Sequence, residues 1–251
     1  MSISIDILDS CLSTNAELAL RPDAPHGYVL ATRAQTAGRG QRGNSWEAEP
    51  GKNLTFSMQL RPRGMGATRQ FELSMLVALA VADTVTEILA TLGSRHRQAR
   101  VKWPNDIYIG HRKVAGILIE NTLNGSGIER SIIGIGLNVN QTVFVSDAPN
   151  PTSLALETRS QFPTDSLLET LAGRLLDYTD RYLAGPDPEA LRGAYISSLY
   201  PGDGAAATYA EPGGAPFEAT ILDISPDGRM HLSNGRSYYF KEVALIPPPA
   251  L

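Results

Sequence analysis

Apolar and polar positions sort the chain into a run of short strands interrupted by a few helices. Residues 4–8 alternate isoleucine with polar side chains and predict a strand. Thr14 with Glu17 three positions on reads as a capping box, which predicts a helix opening near Asn15. Strands are expected at 28–32 and 54–60. A long helix follows over 71–92, where Leu73, Leu76, Leu79 and Ala80 form an apolar stripe against Asp83 and Glu87, and Gly93 ends it. Four closely spaced strands come next, at 100–103, 107–109, 113–121 and 130–139, and their short connections require largely antiparallel pairing, because parallel neighbours need long crossovers. Helices over 164–183 and 187–199 complete a large unit spanning 1–199. The rhythm then changes to short strands at 205–209, 217–224, 230–232 and 238–240 with turns at Pro226-Asp227-Gly228 and Ser233-Asn234-Gly235, so 200–251 reads as a small β-barrel docked on the rest. The fold class is α+β, a mixed and largely antiparallel sheet with helices gathered on one face.

Composition narrows the function. The chain has 251 residues, 42% of them hydrophobic and 19% charged, with a formal charge of −4, as in a globular protein without extended disorder. The longest unbroken apolar run is Met75 to Ala82, so no transmembrane segment or membrane partner is expected, and the first residues lack a basic and apolar leader, which points to the cytoplasm. The single cysteine, Cys11, excludes an internal disulfide, and the four histidines are scattered without the spacing of a zinc site. The acidic balance and the lack of a basic tail argue against nucleic-acid binding.

Three segments carry chemistry. In Gln35-Thr-Ala-Gly38-Arg39-Gly40-Gln41-Arg42-Gly43-Asn44-Ser45-Trp46, three glycines match the dinucleotide fingerprint, but Pro50-Gly51 and a strand follow where that fingerprint needs a helix. What remains is a glycine loop with two arginines, suited to an anion, or else an exposed basic turn. In Val101-Lys102-Trp103-Pro104-Asn105-Asp106, an ammonium and a carboxylate flank a rigid corner, where they make either a site able to hold Mg²⁺ through Asp106 or a surface ion pair. Lys113 opens the next apolar strand as an edge residue or a cation in a pocket. In Gly134-Ile135-Gly136-Leu137-Asn138, the two glycines and Asn138 share one face of a strand, a bare stripe that admits either a ligand or a closely packed helix. No Ser/His/Asp or Cys/His spacing points to a protein nucleophile, so electrostatic catalysis on an anionic substrate is the expectation.

Together, Ser13-Thr14-Asn15, the 35–46 loop, the KWPND run at 102–106, Arg112 to Gly116 and Gly134 to Asn138, in this order and spacing, resemble the biotin protein ligases, and the likeness covers nearly the whole chain. The resemblance implies a class II synthetase-like catalytic domain with an SH3-like tail. It also implies a two-step reaction, in which biotin and ATP give biotinyl-5′-AMP and the biotinyl group then passes to a lysine of a biotin carboxyl carrier protein. By the same resemblance, Ser13, Thr14, Asn15 and Gln35 bind the ureido ring and its surroundings, and Gly116, Gly134 and Gly136 make room for the ligand. Lys113 holds the biotin carboxylate, and Arg39, Arg42 and Lys102 neutralise phosphate. Gly38, Gly40 and Gln41 shape the loop, Trp46 packs on adenine, and Asp106, Asn105 and Asn138 organise Mg-ATP, with Asp106 and Asn138 on the metal. Repressor members carry an N-terminal DNA-binding domain, whereas here the Ser-Thr-Asn motif begins at residue 13, so a monofunctional ligase without operator binding is expected, as monomer or homodimer. Gln41 stands where most relatives have arginine. Two rivals stay open: a lipoate or octanoate ligase or transferase, and a non-catalytic biotin-binding regulatory protein.

Overall fold

A computed structural model describes residues 3–93, 97–146, 150–202 and 204–246, with Arg42 by its backbone alone. Its centre is a seven-stranded sheet. The strands are β1 (Ile5–Cys11), β2 (Tyr28–Gln35), β3 (Leu54–Leu60), β4 (Ala99–Lys102), β5 (Asp106–Ile109), β6 (Arg112–Asn124) and β7 (Gly127–Leu137), in the spatial order β1-β2-β3-β7-β6-β5-β4. Only β1 and β2 pair in parallel, across the helix that connects them; the other neighbours are antiparallel, as their short turns demand. All seven residues of β3 are buried, because the strand is central and covered on both faces.

The long helices α2 (Gln70–Thr91), α4 (Thr164–Ala184) and α5 (Pro188–Ser197) gather on one side. There Val29, Phe56, Met58, Ile133, Ile135 and Leu137 meet Leu73, Val77, Leu171 and Leu175 in one core. Each such fully buried side chain stabilises the fold by about 1.5 to 3 kcal/mol. Together with the turn before it, α2 is long and apolar enough to cross a membrane by length and composition, though it lacks a long unbroken apolar run; its Leu73, Val77, Val81, Val85 and Leu89 are instead packed inside this core.

Two readings of the helices change. Helix α1 (Thr14–Ala19) starts one residue early, with Ser13 at the N-cap position, and the expected box between Thr14 and Glu17 does not form because the Thr14 hydroxyl turns toward Gln35 and Ser57. This short helix also lies on the opposite face from the long ones, where Leu18 packs on Leu30 and Ile132. A five-residue helix, α3 (Leu154–Thr158), falls in a stretch without helical periodicity, and is capped by the Ser153 side chain.

The tail forms two three-stranded sheets, β13-β8-β9 and β10-β11-β12, from β8 (Ala207–Ala210), β9 (Phe217–Ala219), β10 (Ile221–Ile224), β11 (Met230–Leu232), β12 (Ser237–Tyr238) and β13 (Ala244–Ile246). The expected strand over 217–224 breaks at Thr220, whose amide hydrogen-bonds the Ser233 side chain, and β13 lies beyond the strands read from the pattern. Tyr209, Phe217 and Tyr238 stack from one sheet to the other. The tail is locked to the body where Trp103 Nε1 donates to the Gly228 carbonyl at 3.1 Å and Arg192 meets Asp223 at 2.8 Å. Gly228 has φ +87° and leaves no room for a β-carbon above the Phe71 ring, which explains the glycine in that turn.

Candidate active site

The cleft lies on the α1 side of the sheet, over β3, β7 and β6. Its floor is polar at one end. Ser57 of β3, fully buried, donates to Asn15 Oδ1 at 2.6 Å and lies 2.8 Å from Thr14 Oγ1. The Thr14 amide donates to Gln35 Oε1 at 2.9 Å, and Asn15 Nδ2 donates to Glu120 Oε2 at 2.7 Å. Gly134 lies beneath this group, and a β-carbon there would overlap the Asn15 side chain. Of the two readings of the bare stripe, close helix packing is therefore the one met at Gly134: glycine lets α1 bring its amide down to the sheet.

Residues 38–46 form a hairpin over the cleft. Arg39 bridges Ser45, the Gly40 amide donates to the Asn44 carbonyl at 2.6 Å, and the Trp46 amide donates to the Gly38 carbonyl at 3.0 Å. At its tip is a single 3₁₀ turn, Gln41–Gly43, so no helix opens after the glycines and a dinucleotide site is excluded here. Gly38 is required by crowding, since a β-carbon would run into the Trp46 carbonyl. The hairpin delivers the Trp46 indole onto the other end of the stripe, where it covers Gly136 and reaches within 3.0 Å of a β-carbon position on Gly116. Its Nε1 is buried without a hydrogen-bond partner among the described residues.

The third wall is the β4–β5 corner. Lys102 pairs with Asp106 across the strand register, which sets both side chains beside Lys113 of β6. Lys113 Nζ lies 2.6 Å from Asp106 Oδ1 and 5.5 Å from the centre of the Trp46 ring system. Burial pushes the Lys102 ammonium below its ordinary range; the Lys113 charge adds to this and Asp106 opposes it. Asn105 acts as a bracket: its Nδ2 donates to the Ile117 carbonyl at 2.7 Å and its own carbonyl accepts from the Ile117 amide at 3.0 Å.

The cleft thus gathers Ser13, Thr14, Asn15, Gln35, Arg39, Gly40, Gln41, Trp46, Lys102, Asn105, Asp106, Lys113, Gly116, Gly134 and Gly136, distant in the chain, into one site. Asn138 does not line it. Its Nδ2 donates to the Thr152 carbonyl at 2.9 Å and its backbone joins α3 to β7, while its Oδ1 is buried with no hydrogen-bond partner among the described residues. The Arg42 side chain lies outside the described residues. Ser57 and Glu120, which read in the sequence as ordinary polar positions on strands, support the site through Thr14 and Asn15, and Phe240 enters it from the tail.

The sequence profile of the "Biotin/lipoate A/B protein ligase family" matches residues 9–138, the stretch that supplies almost the whole cleft. The chain belongs to this family. Among its members, the biotin–[acetyl-CoA-carboxylase] ligase of Mycobacterium tuberculosis is 30% identical over 239 residues, covering 92% of this chain and 84% of that protein. The corresponding ligase of Paracoccus denitrificans is 36% identical over 165 residues, 64% of this chain and 66% of its own length. The bifunctional ligase/repressor BirA of Bacillus subtilis is 37% identical over 136 residues, 54% of this chain and 39% of its own length. The chain therefore spans less than two thirds of several curated relatives it matches. In fold, it is similar to the biotin protein ligase of Aquifex aeolicus in complex with biotin and ATP, with a TM-score of 0.77 at 22% identity over 98% of this chain and 99% of that one. The Leishmania major biotin protein ligase in complex with biotinyl-5-AMP has a TM-score of 0.68 at 22% identity, over 94% and 98%. These likenesses agree with the family resemblance, the α+β class and the barrel-like tail read from the sequence.

Proposed function

We propose that this family member activates biotin with ATP and transfers it to a lysine of a biotin carboxyl carrier protein. The observation that carries the reading is that one cleft holds the cations Lys113, Lys102 and Arg39 together with the hydrogen-bonding group of Thr14, Asn15 and Ser57. A ureido ring offers two N–H donors and a carbonyl acceptor, which suit the hydroxyls of Thr14 and Ser57 and the amide of Asn15. A dithiolane or an alkyl chain offers no such donors or acceptor, and a site that hydrogen-bonds its substrate discriminates against a ligand lacking them.

In the first step a biotin carboxylate oxygen attacks the α-phosphorus of ATP. A carbon–oxygen–phosphorus linkage forms, the bond to the β-phosphate breaks, and pyrophosphate leaves with its electron pair. Both reactants are anions, so fixed cations must offset their repulsion. Lys113 would hold the carboxylate, Arg39 and Lys102 the phosphates, and Trp46 would shield the junction. In the second step the carrier amine attacks the acyl carbon, the carbon–oxygen bond breaks, AMP leaves, and the attacking nitrogen loses a proton.

Magnesium finds only a partial seat in the protein. Among the described residues no three acidic, histidine or cysteine side chains converge, and Asp106 already pairs with Lys113. That fits a cation carried mainly by the nucleotide phosphates, with Asp106 as its one protein carboxylate. The reading is tested by exchange of labelled pyrophosphate into ATP. Exchange that depends on biotin is expected; exchange driven equally well by lipoate or octanoate would move the protein to the lipoate branch of the family, and none with any acid would leave a binding protein.

A further inference from the structure

Gly116, Leu118 and Glu120 follow one another on the same face of β6, so Glu120 stands at the end of the cleft beside the start of α1. Its carboxylate does two things there. It accepts the short hydrogen bond from Asn15 Nδ2 at 2.7 Å, and it faces the guanidinium of Arg39 at 3.7 Å. Asn15 is itself fixed by Ser57, and Arg39 belongs to the hairpin that carries Trp46 onto the glycine stripe. Through this one carboxylate the polar floor of the pocket is joined to the lid above it.

We propose that Glu120 is a positioning residue that latches the 38–46 hairpin to the sheet and thereby retains the activated acyl-adenylate until the carrier docks. The proposal rests on the ligase reading above. Glu120 touches no reacting atom; it acts through Arg39 and Asn15. The two contacts differ in character, which separates their effects. The Asn15 bond needs only an acceptor, and an amide oxygen supplies one. The Arg39 contact needs the charge, and because both partners are about half-exposed it is a weak pair, readily broken when the hairpin opens. A latch has to be weak enough to open once per turnover.

The test follows the release of a non-hydrolysable biotinyl-adenylate analogue from the full chain, for wild type, Glu120→Gln, Arg39→Ala and the double variant. Glu120→Gln should release the analogue about two- to fivefold faster, the size an exposed ion pair commands. In the Arg39→Ala background the same change should have no further effect. Affinity for biotin alone should stay close to wild type in Glu120→Gln, because glutamine still accepts from Asn15. Equal release from wild type and Glu120→Gln, or the same acceleration with and without Arg39, would overturn the latch while leaving the ligase reading intact. Failure of the wild type to bind the analogue at all would overturn both.

Discussion

Lys102 and Lys113 share one cleft but not one environment, and their chemistry separates accordingly. Burial holds Lys102 below the ordinary lysine value of 10.5, so its cation is present at lower pH and is lost as pH rises through that lowered value. The alkaline limb of kcat/KM for ATP is therefore expected below pH 10.5, and Lys102→Arg, which stays charged, should remove it. An unchanged limb in that variant would take Lys102 off the nucleotide. Lys113 is bound to Asp106 at 2.6 Å. Lys113→Ala should abolish adenylate formation and, by leaving that carboxylate unpaired, cost about 1.5 to 3 kcal/mol of stability, with circular dichroism showing the fold retained. Near-normal turnover would remove Lys113 from the mechanism. Both lysines were legible in the sequence because each breaks a strand pattern beside a turn. Glu120 and Ser57 were not, since a polar residue on a strand looks the same whether it faces water or a partner folded in from another part of the chain. Trp46 was legible as a site residue, but its seat over Gly136 depends on a hairpin closing across the sheet.

Glycine shows how an element can need a residue for two different reasons. At Gly134 the space is filled by the Asn15 side chain of α1, and at Gly136 by the Trp46 indole. Gly134→Val should therefore lift α1, lowering stability by about 1 to 3 kcal/mol and weakening biotin binding with it. Gly136→Val should impair ligand binding with a smaller loss of stability, because the Asn15 side chain is held by hydrogen bonds with Ser57 and Glu120 whereas the Trp46 indole nitrogen has no partner among the described residues. Denaturant unfolding and calorimetry measure the two effects, and equal stability losses would show that the indole is as fixed as the helix. The strands and long helices followed the apolar pattern closely: β3 spans the predicted 54–60, and α2 and α4 sit within a residue or so at each end. Their periodicity extends over two turns or more, or over a full alternating run. The start of α1 lies one residue before the position the pattern predicts because Ser13, Thr14 and Asn15 are all good caps, and the choice among them is made by contacts with β2 and β3. A five-residue helix such as α3 is too short to establish a period.

At the scale of the whole molecule, the change of rhythm near residue 200 marks the end of the helices but not the end of the core. Tyr209, Met230, Leu232 and Tyr238 belong to the same buried cluster as α2 and the large sheet, and the tail caps the Trp103 corner that carries Lys102 and Asp106. A chain ending at Pro201 should consequently lose several kcal/mol, at about 1.5 to 3 kcal/mol per large side chain uncovered, and unfold at a lower denaturant midpoint. An unchanged midpoint would show that the tail is an independent appendage. Whether this cleft joins an acid to a nucleotide and passes the acyl group on is read from the intact mass of a biotin carboxyl carrier domain after incubation with the full chain, biotin and Mg-ATP. One biotinyl group on one lysine of the carrier is expected, dependent on ATP and accompanied by AMP and pyrophosphate. A carrier that gains no mass with biotin, or gains it equally from lipoate, would contradict it.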